Sequence, residues 1–158
     1  MANSIQVDIV SAEGVIFSGL ASMLIAPGVM GEVGILPTHA PLLTRLNPGE
    51  VRIDLLAGDE VLIYVSGGVL EVQPFAITVL ADTALRAESI DAQAALRAMR
   101  AAESVAQAAK EALREGTAVV GLIDYAQAKA ELAKAAAQLK TLDDLRRRAG
   151  GRRRGGKR

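Results

Sequence analysis

Cysteine and tryptophan are absent from the 158 residues, and His39 is the only histidine. The lack of cysteine removes disulfides, thiolate metal sites and a cysteine nucleophile together, and a single histidine cannot build a histidine metal cluster. Aromatics are also scarce. Phe17, Tyr64, Phe75 and Tyr125 make up the whole set, too few and too scattered to form stacking platforms for single-stranded nucleic acid. No run of about 18 apolar residues occurs and the N-terminus has no charged, then apolar, then small-residue pattern, so neither a membrane span nor a signal peptide is expected. Proline is missing from the second half: all five, Pro27, Pro37, Pro41, Pro48 and Pro74, precede residue 75.

A hydrophobic content of 51% is enough for a real core in one domain or one small domain with an appendage. The formal net charge of zero hides a polarity. Residues 1–145 carry −8, and the last thirteen, with Arg146, Arg147, Arg148, Arg152, Arg153, Arg154, Lys157 and Arg158, carry +8. Such an end seeks an anionic surface without specifying which one.

The chain changes grammar near Glu88. Before it, alternations such as Ile5-Gln6-Val7-Asp8-Ile9 and Val51-Arg52-Ile53-Asp54-Leu55 have the two-residue period of half-buried strands. Glu13-Gly14, Ser18-Gly19, Pro27-Gly28, Pro48-Gly49, Gly58-Asp59, Gly67-Gly68 and Gln73-Pro74 separate them as turns. Short strands with turns this frequent predict an antiparallel β-sandwich, and the wholly apolar Val61–Val65 is expected as a central strand, although such a run also fits the inside of a buried helix. From Ser89 on, spacings of three and four through Leu96, Met99, Ala102, Ala106, Ala109 and Leu113 predict a helix. The stretch Glu115–Gly121 interrupts it, and Asp124 with Gln127 reads as the capped start of a second helix striped by Tyr125, Leu132, Leu139 and Leu142. The expected division is a β domain over 1–87, an antiparallel two-helix hairpin over 88–149 and a disordered basic Arg/Gly tail over 150–158. Between Ala92 and Ala149, 19 of 58 residues are alanine, so the hairpin buries little apolar area. It is either a permanent hairpin or an arm that exchanges between docked and extended states.

Catalytic patterns are missing. Ser66-Gly67-Gly68 lacks the spacing of a nucleophile elbow, and Gly28, Gly31 and Gly34 form neither a dinucleotide fingerprint nor a phosphate loop. Asp59-Glu60 and Asp143-Asp144 read as solvated pairs at turns and helix ends rather than as an acid and base in a cleft. No metal, cofactor or catalytic residue is expected. The residues alone leave open a nucleic-acid module using the basic tail, or an adaptor whose hairpin docks in a partner's groove.

In order along the chain, Val10-Ser11-Ala12-Glu13, Phe17-Ser18-Gly19-Leu20, Gly31–Pro37, His39-Ala40-Pro41-Leu42-Leu43, Val65–Pro74 and Val79–Ala84 resemble the amino-terminal domain of the ε-subunit family of rotary proton-translocating ATP synthases. Asp124–Gln127 and Ala130–Ala135 are similar to the second helix of that family's hairpin in its proteobacterial form. The resemblance runs from about Ile5 to Leu145. It implies a ten-stranded β-sandwich followed by a two-helix C-terminal domain, in a non-catalytic rotor part of the central stalk at the cytoplasmic face of a bacterial inner membrane. The implied partners are the γ subunit and the c-ring, plus the α and β subunits in an inhibited state, with no nucleic acid and no direct membrane insertion.

By the same resemblance, Gly31 and Glu32 would meet the c-ring, and His39 and Pro41 the γ subunit. The hairpin would fold down on the sandwich or extend to obstruct ATP hydrolysis, with Arg146, Arg147 and Arg148 then facing an acidic segment of the β subunit. Some members bind ATP through an Ile/Leu-Asp-x-x-Arg-Ala motif. Here Ile90-Asp91-Ala92-Gln93-Ala94-Ala95 has Ala94 in the arginine's place, and weak or absent nucleotide binding is expected without that cation.

Overall fold

The computed structural model describes residues 4–114 and 118–155. Nine strands run β1 (Ile5–Ser11), β2 (Gly14–Gly28), β3 (Gly31–Ile35), β4 (Leu42–Leu46), β5 (Gly49–Leu55), β6 (Glu60–Val65), β7 (Gly68–Gln73), β8 (Ala76–Ala81) and β9 (Ala84–Arg86). A 3-10 turn, Ala87–Ser89, leads to α1 (Ala92–Arg114) and α2 (Ala118–Gly155).

The hydrogen-bonded order is β1-β8-β7-β4-β2-β5-β6-β9, with β3 on β2 and β1 closing back onto β2. The described residues thus form nine strands where ten were expected. The difference lies in β2, a 15-residue strand whose pairing with β5 slips between Ala21 and Met23. Its first half pairs with β1 and its second with β3 and β5, so one bulged strand serves both layers. Pairing is antiparallel throughout except between β1 and β8, which run parallel with Val7 opposite Ile77 and Ile9 opposite Val79.

The core follows the two-residue period. Ile5, Val7 and Ile9 of β1, Ile77 and Val79 of β8, Leu70 and Val72 of β7, and Val51 and Ile53 of β5 all point between the layers and are buried. Strand β6 breaks the alternation, with Leu62, Ile63, Tyr64 and Val65 all buried. It lies between β5 and the short edge strand β9. Ile63 and Val65 join the sandwich core, whereas Tyr64 joins a second cluster with Ile90 and Leu142. The apolar run is therefore a strand covered on both faces, by the opposite layer and by the helices.

Asp91 starts α1: its Oδ1 accepts hydrogen bonds from the backbone N–H groups of Gln93 (2.8 Å) and Ala94 (3.1 Å), satisfying two free donors of the first turn. Those bonds to the charged form hold its carboxyl below the usual range. Ala95, Ala102 and Ala109 are buried along α1, and Ala128, Ala135 and Leu142 along α2. Each set repeats every seven residues; the alanines form the seam between the two helices, where small side chains allow close approach, whereas Leu142 packs on Tyr64 and Ile90.

Helix α2 begins at Ala118, not at Asp124. Asp124 and Gln127 are three residues apart inside a helix, where that spacing is an ordinary neighbour relation, and each added turn gains backbone hydrogen bonds once the helix is nucleated. At its other end α2 continues to Gly155, so its backbone runs through most of the stretch set apart as a tail. Residues 156–158 lie outside the described residues.

Candidate functional site

The outer face of the layer β2-β1-β8-β7-β4 is where the sandwich presents apolar groups to solvent. Outward positions alternate with the core positions, and across the strands Val10 lies beside Leu80, Leu80 beside Val69, and Val69 beside Arg45. The next row carries Ser18, Asp8, Thr78, Glu71 and Leu43. Leu80 is 56% exposed, Leu43 73% and Leu20 52%. Between them Asp8 accepts hydrogen bonds from the Ser18 hydroxyl (2.6 Å) and the Gln6 amide (2.9 Å), which pins the polar side chains and leaves the leucines standing clear. Leu80 shares a strand with core-facing Ile77, Val79 and Ala81; an apolar residue at the outward parity was the signal that sequence reasoning passed over.

The loop bearing His39 and Pro41 enters this face at β4, immediately before Leu42 and Leu43. His39 is half-buried, with Nδ1 2.7 Å from the Ala40 carbonyl oxygen, and Pro41 is exposed. Gly31 and Glu32 are exposed at the opposite end of β3, next to the turn Val29-Met30, where Met30 is 96% exposed.

The outer face of the other layer is covered by α2. Tyr64, Ile90 and Leu142 pack together there, with Leu85, Ala92 and Ala137 at their margin. Tyr64 is 1% exposed, and the Gln138 side chain faces its hydroxyl without closing a hydrogen bond. Burial pushes the Tyr64 pKa from 10.0 up to about 12, with Gln138 partly opposing the shift. A raised pKa in the docked form means that the neutral phenol's contribution is complete below pH 10 and is lost as pH rises through about 12. In a Tyr125→Phe chain, tyrosinate absorbance should therefore titrate near pH 12, and a midpoint near 10 would show that α2 does not cover Tyr64.

Beside that cluster the seam is polar. A cavity of about 240 Å³ separates the sandwich from α2, walled by Glu32, Glu50 and Arg52 on one side and Lys140, Asp144 and Arg148 on the other. Arg148 reaches across it, donating to Glu60 Oε2 at 2.9 Å and Glu50 Oε1 at 3.4 Å. Burial raises the Glu50 carboxyl above its usual range, with the Arg148 charge opposing. For Arg148 burial works against the charged form, but the Glu60 hydrogen bond and the charges of Glu50, Glu60 and Asp144 outweigh it and raise its pKa. Arg52 Nε lies 3.2 Å from Asp54 Oδ1.

The structure therefore brings Glu32 and Arg148, expected at different partners, to the walls of one cavity. It separates the three arginines: Arg146 is exposed, Arg147 pairs with Asp143 one turn back, and Arg148 pairs with the sandwich. Glu50 and Glu60 lie 98 and 88 residues from Arg148, and no local pattern announces them. Among the described residues no group of three His, Asp or Glu side chains is placed to hold a metal, and no helix is long and apolar enough to cross a membrane.

Residues 4–87 match the sequence profile of the ATP synthase delta/epsilon chain β-sandwich domain. The chain is 55% identical to the ATP synthase epsilon chain of Nitrosococcus oceani over 150 residues, covering 95% of this chain and all of the relative. It is also 55% identical to that of Halorhodospira halophila over 148 residues, covering 93% and 98%. A subunit in the mitochondrial ATP synthase of Euglena gracilis, solved as an assembly of OSCP, F1 and c-ring, superposes with a TM-score of 0.74 at 17% identity, covering 90% of this chain and 83% of that one. That likeness shows the fold is shared, and the two bacterial relatives carry the assignment over nearly the whole length. The chain belongs to the ATP synthase delta/epsilon chain family.

Proposed function

We propose that the chain is a rotor part of the central stalk of a proton-translocating ATP synthase, joining the γ subunit to the c-ring at the cytoplasmic face of the bacterial inner membrane. It contributes no catalytic group of its own. The observation that carries this reading is the exposed apolar face around Leu80, Leu43 and Leu20 on a sandwich whose other face is already occupied by the hairpin. An outward leucine row on a rigid sheet suits a permanent protein partner, because burying it stabilises the complex without any rearrangement of the strands. In this reading γ covers that face with His39 and Pro41 at its margin, and the turn bearing Gly31 and Glu32 meets the polar loops of the ring.

The hairpin adds a brake. Its seam with the sandwich is narrow in apolar contact and largely polar, which suits an arm that leaves when the cavity between catalytic subunits offers more. Extended, it would present Arg146, Arg147 and Arg148 to an acidic segment of the β subunit and obstruct hydrolysis. Nucleotide binding by the chain alone is weak or absent in this account. Asp91 is engaged as a helix cap and Ala94 supplies no cation.

Copurification with γ tests the coupling role. The full chain and a chain ending at residue 88 should both be retained on γ, and the truncation should raise ATP hydrolysis by the assembled complex severalfold. Failure of both chains to bind γ would remove the rotor assignment. Unchanged hydrolysis on truncation would remove the brake and leave the coupling role.

A further inference from the structure

We propose that Arg148 is a clasp, holding the far half of α2 on the sandwich by gripping Glu50 of β5 and Glu60 of β6 together. The inference goes beyond the coupling role and does not depend on it. Three features of the seam point to it. The two acceptors come from neighbouring strands, and each takes a different guanidinium nitrogen, Nη1 to Glu60 and Nη2 to Glu50. A forked cation suits this task, since one side chain ties two points of the sheet to one point of the helix.

Much of what surrounds the grip does not favour docking. The Tyr64 hydroxyl and Glu50 Oε2 are buried without a hydrogen-bond partner among the described residues, and buried unpaired polar groups oppose the state that buries them. The cavity wall balances three cations, Arg52, Lys140 and Arg148, against three carboxylates, Glu32, Glu50 and Asp144. A charge-balanced wall gives no preference for a charged ligand, so it reads as the hydrated interior of a polar seam.

Arg148 also stands out from its neighbours. Arg147 is spent on Asp143 within α2, and Arg146 is exposed. Of these three consecutive arginines, only Arg148 spans the seam. If the extended arm offers all three to an acidic partner, Arg148 must first let go of the sandwich. The same cation then counts in both states, and the partner's gain is reduced by the grip it displaces.

The absence of cysteine from the chain makes the test clean. Thr141 is fully buried on the cavity wall, its hydroxyl bonded back to the Ala137 carbonyl at 2.9 Å. In the full-length Thr141→Cys chain, a thiol reagent reaches residue 141 only when α2 lifts, so its labelling rate reports undocking. A second chain with Val7→Cys, at a fully buried position inside the sandwich, reports global unfolding.

Arg148→Ala should speed labelling at position 141 by about 3- to 10-fold, and Glu50→Gln with Glu60→Gln should do the same. Arg148→Lys, which keeps charge without the fork, should fall between, and Arg146→Ala should change the rate less than about twofold. Added salt should speed labelling in the parent and have less effect in Arg148→Ala. Labelling at position 7 should stay far slower than at position 141 in the parent and in every variant. Unchanged rates at position 141 in both the arginine and the paired glutamine variants overturn the clasp. Equal absolute rates at positions 141 and 7 overturn it too, because α2 would then leave the sandwich only when the whole fold opens. Neither experiment involves γ or the ring, so its failure leaves the rotor assignment standing.

Discussion

Gly68→Ala should lower the unfolding free energy by about 3–5 kcal/mol and the melting temperature by about 10 °C or more, while Gly14→Ala costs about 1–2 kcal/mol. The two glycines have nearly the same φ, 133° and 131°, in the region that side-chain-bearing residues rarely enter. They differ in what surrounds them. A Cβ on Gly68 would stand 2.1 Å from the Leu80 carbonyl oxygen and 2.8 Å from the Ala81 Cα, whereas one on Gly14 meets nothing within 4 Å.

Gly68 sits between Leu46 of β4 and Ala81 of β8, so the obstructing atoms are ladder backbone that cannot retreat without parting β7 from β8. Gly14→Ala therefore measures backbone strain alone, and the excess at Gly68 measures the collision. Urea unfolding followed by far-ultraviolet circular dichroism gives both values. Equal losses would mean that the β7–β8 register relaxes freely, contrary to a sandwich closed by the parallel β1–β8 pair. A loss of this size is a large share of the ~5–15 kcal/mol available to a domain.

The turn at Ser66-Gly67-Gly68 was legible in the sequence as punctuation, but its demand for glycine was not, because that demand comes from β4 and β8 and not from its neighbours in the chain. The same division recurs across the molecule. Period-two alternation marks β1 and β5, since each has one buried and one wetter face, and the alanine spacing marks the hairpin seam. Val61–Val65 reads as a strand, yet nothing local says that its outer face is covered by residues such as Ile90 and Leu142, nearly thirty and eighty positions on. Asp124-x-x-Gln127 misled because capping geometry depends on where the helix begins, and α2 begins six residues earlier.

Of the candidate contacts, Glu32, His39 and the three arginines came from the family resemblance and not from any local pattern. The outward leucines came from neither, although the parity of β8 sets Leu80 apart from Ile77, Val79 and Ala81. Long-range pairing is the part that one-dimensional patterns lack. Arg148 with Glu50 and Glu60 exists only because β5, β6 and α2 fold against one another.

Leu80→Asp should weaken binding to γ at least about 100-fold while leaving the stability of the free chain nearly unchanged. Leu80 occupies the middle of the outward row between Val10 and Val69 and is more than half exposed, so its replacement removes no core contact and surface substitutions of that kind usually shift stability by under about 0.5 kcal/mol. In the complex the balance reverses. Fully burying a leucine is worth about 1.5–3 kcal/mol, and a carboxylate forced into the same contact adds the cost of an unpaired charge, while each ~1.4 kcal/mol is a factor of ten in affinity.

Residues at the centre of an apolar patch dominate such interfaces, whereas rim positions change them little. Leu56→Asp serves as the matched control. Leu56 is exposed to nearly the same degree, 55%, but lies in the turn between β5 and β6, and its replacement should leave the affinity within about twofold. Titration calorimetry with purified γ separates the outcomes. If Leu80→Asp binds as tightly as the parent, the leucine row is not the γ face and the sandwich must grip the shaft elsewhere; if Leu56→Asp fails equally, the loss reflects added charge rather than position.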